Sequence, residues 1–144
     1  MNMKKVLLIV PPFFNLIGYK SFDMPMSSVA YIAGALKKEG FEVYIINADN
    51  EKHSYCPEKE DAPHLLFNNN EKQKFIEFIN NDNHPFWNNI IKEVENISPD
   101  IIGFSCCTPG YPSALVLAKK IREWKKEIPI VVGGVHPTVL TEDV

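Results

Sequence analysis

Lys5-Val6-Leu7-Leu8-Ile9-Val10, stopped by Pro11-Pro12, holds five apolar residues in a row, rich in branched side chains. A strand with one wet face alternates apolar and polar residues. A run without alternation is what a parallel strand needs when both of its faces are covered. Three more runs share this character: Glu42 to Asn47, Asp100 to Ser105 and Ile130 to Gly133. Helical patterns lie between them. After the first run, Ser27 is placed to cap a helix in which Val29, Ile32, Ala33 and Leu36 fall at i, i+3, i+4 and i+7. Lys37 and Lys38 close its last turn, and Gly40 stands where a left-handed residue is wanted. Before the third run, Pro85 to Asn96 carries Trp87, Ile90, Ile91 and Val94 at helical spacing. Before the fourth, Pro112 suits a first helical position, Leu115, Ala118 and Ile121 form the expected buried stripe, and Trp124 extends it.

Strand and helix in alternation predict an α/β fold. The expected architecture is a flavodoxin-like, doubly wound parallel sheet (Rossmann-like) of about four strands with helices on both faces. The 144 residues make one domain with enough chain to bury a core. Ser54 to Asn83 is polar, with Pro57, Pro63 and Asn68-Asn69-Asn70, and reads as an insertion over the domain holding at most one short helix near Glu71 to Asn80. The last helix and strand of such a sheet are expected to lie outside this sequence.

The apolar fraction of 45% and charged fraction of 23% are those of a soluble globular protein. A net charge of −3, with no basic cluster among aromatics, disfavours nucleic acid as a partner. The first run is too short for a signal peptide, and no run approaches the roughly 18 apolar residues of a membrane span, so a cytoplasmic location is expected. Three cysteines, Cys56, Cys106 and Cys107, give no disulfide framework.

In open parallel sheets, ligands bind outside the carboxyl ends of the strands. Here those ends are Pro11-Pro12-Phe13-Phe14, Asn47-Ala48-Asp49-Asn50, Ser105 through Gly110, and Gly133 through Thr138. Gly133-Gly134 either lets a ligand lie directly on the backbone or makes a tight turn. Ser105 and Thr108 can point hydroxyls at a ligand beside the free N–H groups of the next helix, although Thr108 equally suits capping that helix.

Taken together, Ser105-Cys106-Cys107, then 25 residues, then Gly133-Gly134 resembles the Ser-x-Leu … Gly-Gly signature of cobalamin-binding domains. Lys5 to Pro12, Val29 to Gly40, Pro99 to Ala114 and Pro129 to Thr138 resemble, in order, segments of the domain that precedes the catalytic barrel in cobalamin-dependent radical S-adenosylmethionine enzymes. The resemblance implies a cobalamin whose nucleotide tail lies between the third and fourth strands. It places cofactor contacts at Pro12, Phe13, Ser105, Cys107, Thr108, Tyr111, Gly133, Gly134, His136 and Thr138. Cys107 stands where that signature has leucine. The implied partner is a C-terminal radical S-adenosylmethionine domain of the same parent chain, holding a 4Fe–4S cluster and S-adenosylmethionine, in a methyltransferase or related enzyme.

Two departures refine the expectation. Many cobalamin domains carry Asp-x-His-x-x-Gly after the first strand, whose imidazole ligates cobalt; Pro11 to Met26 contains no histidine. The bound cofactor would then lack a histidine axial ligand, with Phe13, Phe14, Tyr19 and Phe22 placed to cover its lower face or to meet a neighbouring domain. Nor can Cys56, Cys106 and Cys107 form the Cys-x-x-x-Cys-x-x-Cys triplet of the radical branch, so no catalytic residue is assigned to this chain.

His53, Cys56, His64 and His84 lack metal-ligand spacing. His136 reads either as a contact to the cofactor tail or missing domain, or as a solvent-exposed loop histidine. Cys106 and Cys107 read as small buried hydrophobes rather than a redox pair, and Asp23 and Asp49 as turn residues. The main alternative is the N-terminal half of a two-domain glycosyltransferase, disfavoured because Pro11-Pro12-Phe13-Phe14 replaces a Gly-rich first loop. A signalling receiver would need acidic residues after the first and third strands, and a dinucleotide site would need Gly-x-Gly-x-x-Gly.

Overall fold

The computed structural model describes residues 3–17, 26–50 and 69–143. All four apolar runs are strands: β1 (Lys5–Val10), β2 (Glu42–Asn47), β3 (Ile101–Ser105) and β4 (Ile130–Gly133). They form one all-parallel sheet in the order β2-β1-β3-β4. Asp100, expected in the third strand, stays outside it. Its carboxylate instead accepts a 2.8 Å hydrogen bond from the Lys5 backbone N–H and ties the starts of β3 and β1 together. Around the sheet lie α1 (Phe14–Ile17), α2 (Ser27–Lys38), α3 (Asn69–Asn80), α4 (Pro85–Ile97), α5 (Tyr111–Trp124) and α6 (Val135–Val139).

The strand pleat sorts side chains onto two faces. Leu7 and Ile9 of β1 and Ile102 and Phe104 of β3 join Trp87, Ile90 and Val94 of α4 and Leu117 and Ile121 of α5 in the larger core. Val6, Leu8 and Val10 point the other way, against Val29 and Ala33 of α2. A doubly wound sheet results, as the continuous apolar runs require.

Three expectations change. Ser27 is the first residue of α2, Met26 holds the cap position, and no side-chain cap bond is made. The end of α2 is as expected: Gly40 takes φ 83°, and the Phe41 N–H donates to Leu36 O at 3.1 Å, satisfying a terminal carbonyl. The buried stripe of α5 is Ala114, Leu117 and Ile121 with Ser113, whereas Leu115 is 53% exposed. Residues 114–118 are all apolar, so periodicity alone leaves the rotation of this helix undetermined. Finally, the helix α3 in the second half of the supposed insertion packs against the core. Phe75, Phe78 and Ile79 of α3 pack on the α4–α5 side of the sheet, with Phe78 edge-on to Trp87 at 5.6 Å. Residues 54–68 of the insertion lie outside the described residues, as do Tyr19, Phe22, Asp23, His53, Cys56 and His64.

Candidate functional site

On the α2 side, β1 is covered by the helix while β3 and β4 stay open; Val131 is 59% exposed. The space between α2 and these strands is a groove of about 720 Å³, within the usual range for a small-molecule site. Its shape follows from the pleat. The register pairs Val6 with Ile101, Leu8 with Gly103, Gly103 with Val131, and Ser105 with Gly133. Ile101, Gly103 and Ser105 therefore share the open face with Val131 and Gly133, and all five line the groove.

Two of these five residues have no side chain, which lowers the floor. A Cβ at Gly133 would meet nothing nearer than Phe104 O at 3.9 Å, so its absence is open space above a strand. A Cβ at Gly103 would meet Leu8 Cδ2 at 3.0 Å. Gly103 is a groove residue that sequence reasoning misses. Its signal is a glycine inside an otherwise branched strand, two residues before Ser105, where a backbone needs close approach.

Gly134 has a different reason. Its φ is 107°, and a Cβ there would stand 2.5 Å from Cys106 O. Cys106 N–H donates to Gly133 O at 2.8 Å, and His136 N–H donates to Cys106 O at 3.2 Å. The loops after β3 and β4 are thus laced together through Cys106, and Gly134 is the residue that permits the crossing. The choice between ligand cradle and tight turn divides between the two glycines: Gly133 offers space, Gly134 makes the turn.

At the mouth, the loop after β1 is held by the loop after β2. Asp49 Oδ1 accepts from the Phe13 and Asn15 backbone N–H groups at 3.0 and 2.9 Å. Asn15 is buried, and its Nδ2 donates to Asn50 O at 2.6 Å. Asp49 is thus a turn residue, as expected, and through these bonds it also positions Pro11, Phe13 and Phe14 as one wall of the groove. Phe13 sits edge-on between Phe14 at 5.2 Å and Phe75 at 5.3 Å.

Compared with known protein families, residues 71–144, just over half of the chain, match the B12 binding domain. The chain belongs to the B12 binding domain family. Neither a curated protein nor a solved structure was found to match it. The matched segment carries β3, the Cys106 lacing and both groove glycines of β3 and β4. The glycosyltransferase alternative is left without a supporting observation.

The ten residues expected at a B12 site separate into two groups. Phe13, Ser105, Cys107, Gly133 and Gly134 line the groove. Pro12 is fully buried, and its neighbour Pro11 lines the wall instead. Thr108, Tyr111 and His136 form a separate stack: the Tyr111 and His136 rings lie 4.0 Å apart, and Thr108 Oγ1 is 3.3 Å from His136 Nδ1. His136 is therefore no exposed loop residue but 4% exposed, and Thr108 bonds to it rather than capping a helix. Thr138 Oγ1 turns back to donate to Gly134 O at 2.8 Å. This second group does not line the groove; Thr108, His136 and Thr138 brace the loops that shape its mouth.

The cysteines also part. Cys106 is buried, and burial, with the neighbouring Cys107, pushes its thiol up to about 12, which makes it inert. Cys107 is exposed at the groove. His84 caps α4: its Nδ1 accepts from the Phe86 N–H at 3.2 Å, and burial lowers its pKa. Among the described residues, no helix is long and apolar enough to cross a membrane.

Proposed function

We propose that this chain is the cobalamin-holding module of a radical S-adenosylmethionine enzyme, a methyltransferase or a related one, and that it binds the cofactor without a histidine on cobalt. The observation that carries the reading is the glycine-floored groove, opening at the strand ends between Ser105 and Gly133, in a chain of the B12 binding domain family.

The residues fit the group. A cobalamin is a broad ring with a nucleotide tail that needs a narrow slot. Gly103 and Gly133 leave the backbone of β3 and β4 bare where side chains would fill such a slot. Val6, Leu8, Val10 and Ile32 give it apolar walls. In this reading the tail enters along β3 and β4, Ser105 and Cys107 stand at its neck, and the Phe13–Phe14 pair faces the ring. Asp49 and Asn15 hold those aromatics in place, and the Cys106 lacing keeps the two loops at one separation. When bound, the cofactor supplies a cobalt centre for methyl transfer or for tuning a radical step; the chain supplies orientation and shielding.

The radical branch is favoured by the four ordered segments, from Lys5-to-Pro12 to Pro129-to-Thr138, and by the lack of histidine from Pro11 to Met26. His136, the histidine nearest the rim in sequence, is engaged with Tyr111 and Thr108. The 4Fe–4S cluster and S-adenosylmethionine belong to a separate catalytic domain in this reading, because adjacent Cys106 and Cys107 cannot complete a triplet with Cys56.

Titration of the chain with hydroxocobalamin, followed by its visible spectrum, tests the holding function; saturable spectral change is expected, and its absence at high micromolar cofactor would reject it. Electron paramagnetic resonance of the bound cob(II)alamin tests the axial position. A spectrum whose nitrogen splitting, if any, is unchanged by 15N-labelling of the protein's histidines is expected, and splitting that changes with that label would overturn the histidine-free assignment. The radical assignment is tested on the parent protein, where anaerobic reconstitution with iron and sulfide should yield a cluster that binds S-adenosylmethionine.

A further inference from the structure

The aromatic wall at the mouth of the groove has its main chain and its rings held by different parts of the fold. Asp49 fixes the backbone of Phe13 and Asn15 through their N–H groups, at 3.0 and 2.9 Å. Those bonds end at the backbone and leave the rotamer of the Phe13 ring to its packing. Within the wall the ring meets Phe14, edge-on at 5.2 Å. Phe14 is 42% exposed and begins α1, a helix of four residues. So short a helix has no stability of its own, and an exposed ring is a soft support. The other neighbour is Phe75 of α3, edge-on at 5.3 Å.

Phe75 stands on firmer ground. Phe75, Phe78 and Ile79, at i, i+3 and i+4, turn one face of α3 to the core, whereas Gln73, Lys74, Ile76 and Glu77 are exposed. One turn along the helix, Phe78 lies edge-on to Phe86 at 5.4 Å and to the fully buried Trp87 at 5.6 Å. The rings Phe14, Phe13 and Phe75 therefore form a chain whose last member sits on a helix seated against the α4 core. Phe75 itself does not line the groove. Its route to a bound ligand runs through Phe13, which does.

We propose that Phe75 is a positioning residue of the cofactor site: it fixes the rotamer of Phe13, so that α3, outside the groove, sets how well the aromatic wall meets the corrin ring. The inference rests on the cobalamin reading above. An edge-on aromatic pair contributes beyond the area it buries. With leucine at 75, α3 keeps an apolar side chain on its core face, but Phe13 loses its edge-on partner and samples further rotamers. Cofactor binding must then select the one rotamer that fits, and affinity falls with the fraction of molecules that hold it.

Hydroxocobalamin titrations of the full chain, paired with thermal melts in the absence of cofactor, test the inference. Phe75→Leu should weaken binding about three- to tenfold. Phe75→Tyr, which keeps the ring, should bind within about twofold of wild type. Phe78→Leu removes the edge-on partner of Phe86 and Trp87 on the same helix; it should lower Tm at least as far as Phe75→Leu, yet bind within about twofold of wild type. Phe13→Leu should weaken binding by itself, and adding Phe75→Leu to it should change affinity by less than about twofold, because the residue acted upon is already gone. Equal weakening by Phe75→Leu and Phe78→Leu would assign the effect to the seating of the helix and overturn the inference. Wild-type affinity in Phe75→Leu, loss of affinity in Phe75→Tyr, or additive losses in the double variant would overturn it as well, with cobalamin holding intact. Failure of the unaltered chain to bind hydroxocobalamin would reject the cobalamin reading itself, and the positioning role with it.

Discussion

Replacing Gly133 and Gly134 separately by alanine should have opposite consequences, because the two glycines are glycine for different reasons. At Gly133 the backbone lies outside the left-handed region, and the new methyl would meet only Phe104 O at 3.9 Å, an ordinary contact. Folding should be unaffected, or favoured by about 0.4–1 kcal/mol through a less flexible unfolded chain. The methyl would, however, stand on the groove floor beside Ser105. Overfilling a packed site costs roughly 1–3 kcal/mol, which weakens cobalamin binding by about 5- to 150-fold. At Gly134 the methyl would lie 2.5 Å from Cys106 O and 2.9 Å from Cys106 N, both backbone atoms that cannot turn aside. With φ at 107° and ψ at −168°, that backbone conformation is also closed to alanine. Strain of about 1–3 kcal/mol and a similar cost of overpacking add to roughly 2–6 kcal/mol. For a chain of this size that lowers Tm by about 6–18 °C. Thermal melts and hydroxocobalamin titrations of both variants make the check. A Gly133→Ala melt depressed as far as that of Gly134→Ala would refute the reasoning, and so would wild-type cobalamin affinity in Gly133→Ala.

Three further outcomes are expected. Iodoacetamide should alkylate Cys107 and spare Cys106, with bound cobalamin protecting Cys107; peptide mass spectrometry reads both, and faster labelling of Cys106 would contradict its burial. Asp49→Ala removes the acceptor of two backbone N–H groups and should lower stability by about 1.5–3 kcal/mol in denaturant melts, with wild-type stability the contrary result. The folded pKa of His84 is lowered by burial, so the stability it contributes is present above its ordinary value near 6.5 and lost as pH falls through the folded value. His84→Asn, which can cap α4 without titrating near neutrality, should flatten the fall in stability between about pH 7 and pH 5. An unchanged slope would assign that fall elsewhere. Asp82, held low by its 2.7 Å hydrogen bond from Lys119, acts in the same direction at more acid pH.

The sequence by itself determined what depends on near neighbours along the chain. Unbroken branched runs made Lys5–Val10, Glu42–Asn47 and Ile130–Gly133 strands to the residue, and alternation with helices made the sheet parallel. Lys37, Lys38 and Gly40 ended α2 where a left-handed glycine and basic residues can satisfy a helix terminus. These features act over one or two turns of chain, so composition and spacing reveal them. Only the tertiary structure decided which faces meet. Five successive apolar residues left α5 free to rotate, and packing on β3 chose Leu117 over Leu115. Phe75 and Phe78 read as part of an insertion lying over the domain, and only the fold shows them packed against the core. At the site, Ser105 and Gly133 were visible from the sequence as residues at strand ends, yet Gly103 joined them only through the register of β3 against β1 and β4. The contrast between Gly133 and Gly134 is of the same kind. Adjacent and chemically identical, they differ because the Cys106 backbone, 28 residues before Gly134, stands where a Cβ on Gly134 would go and leaves that place open on Gly133. Contact across a crossover connection is set by the fold of the whole sheet, and no local pattern encodes it.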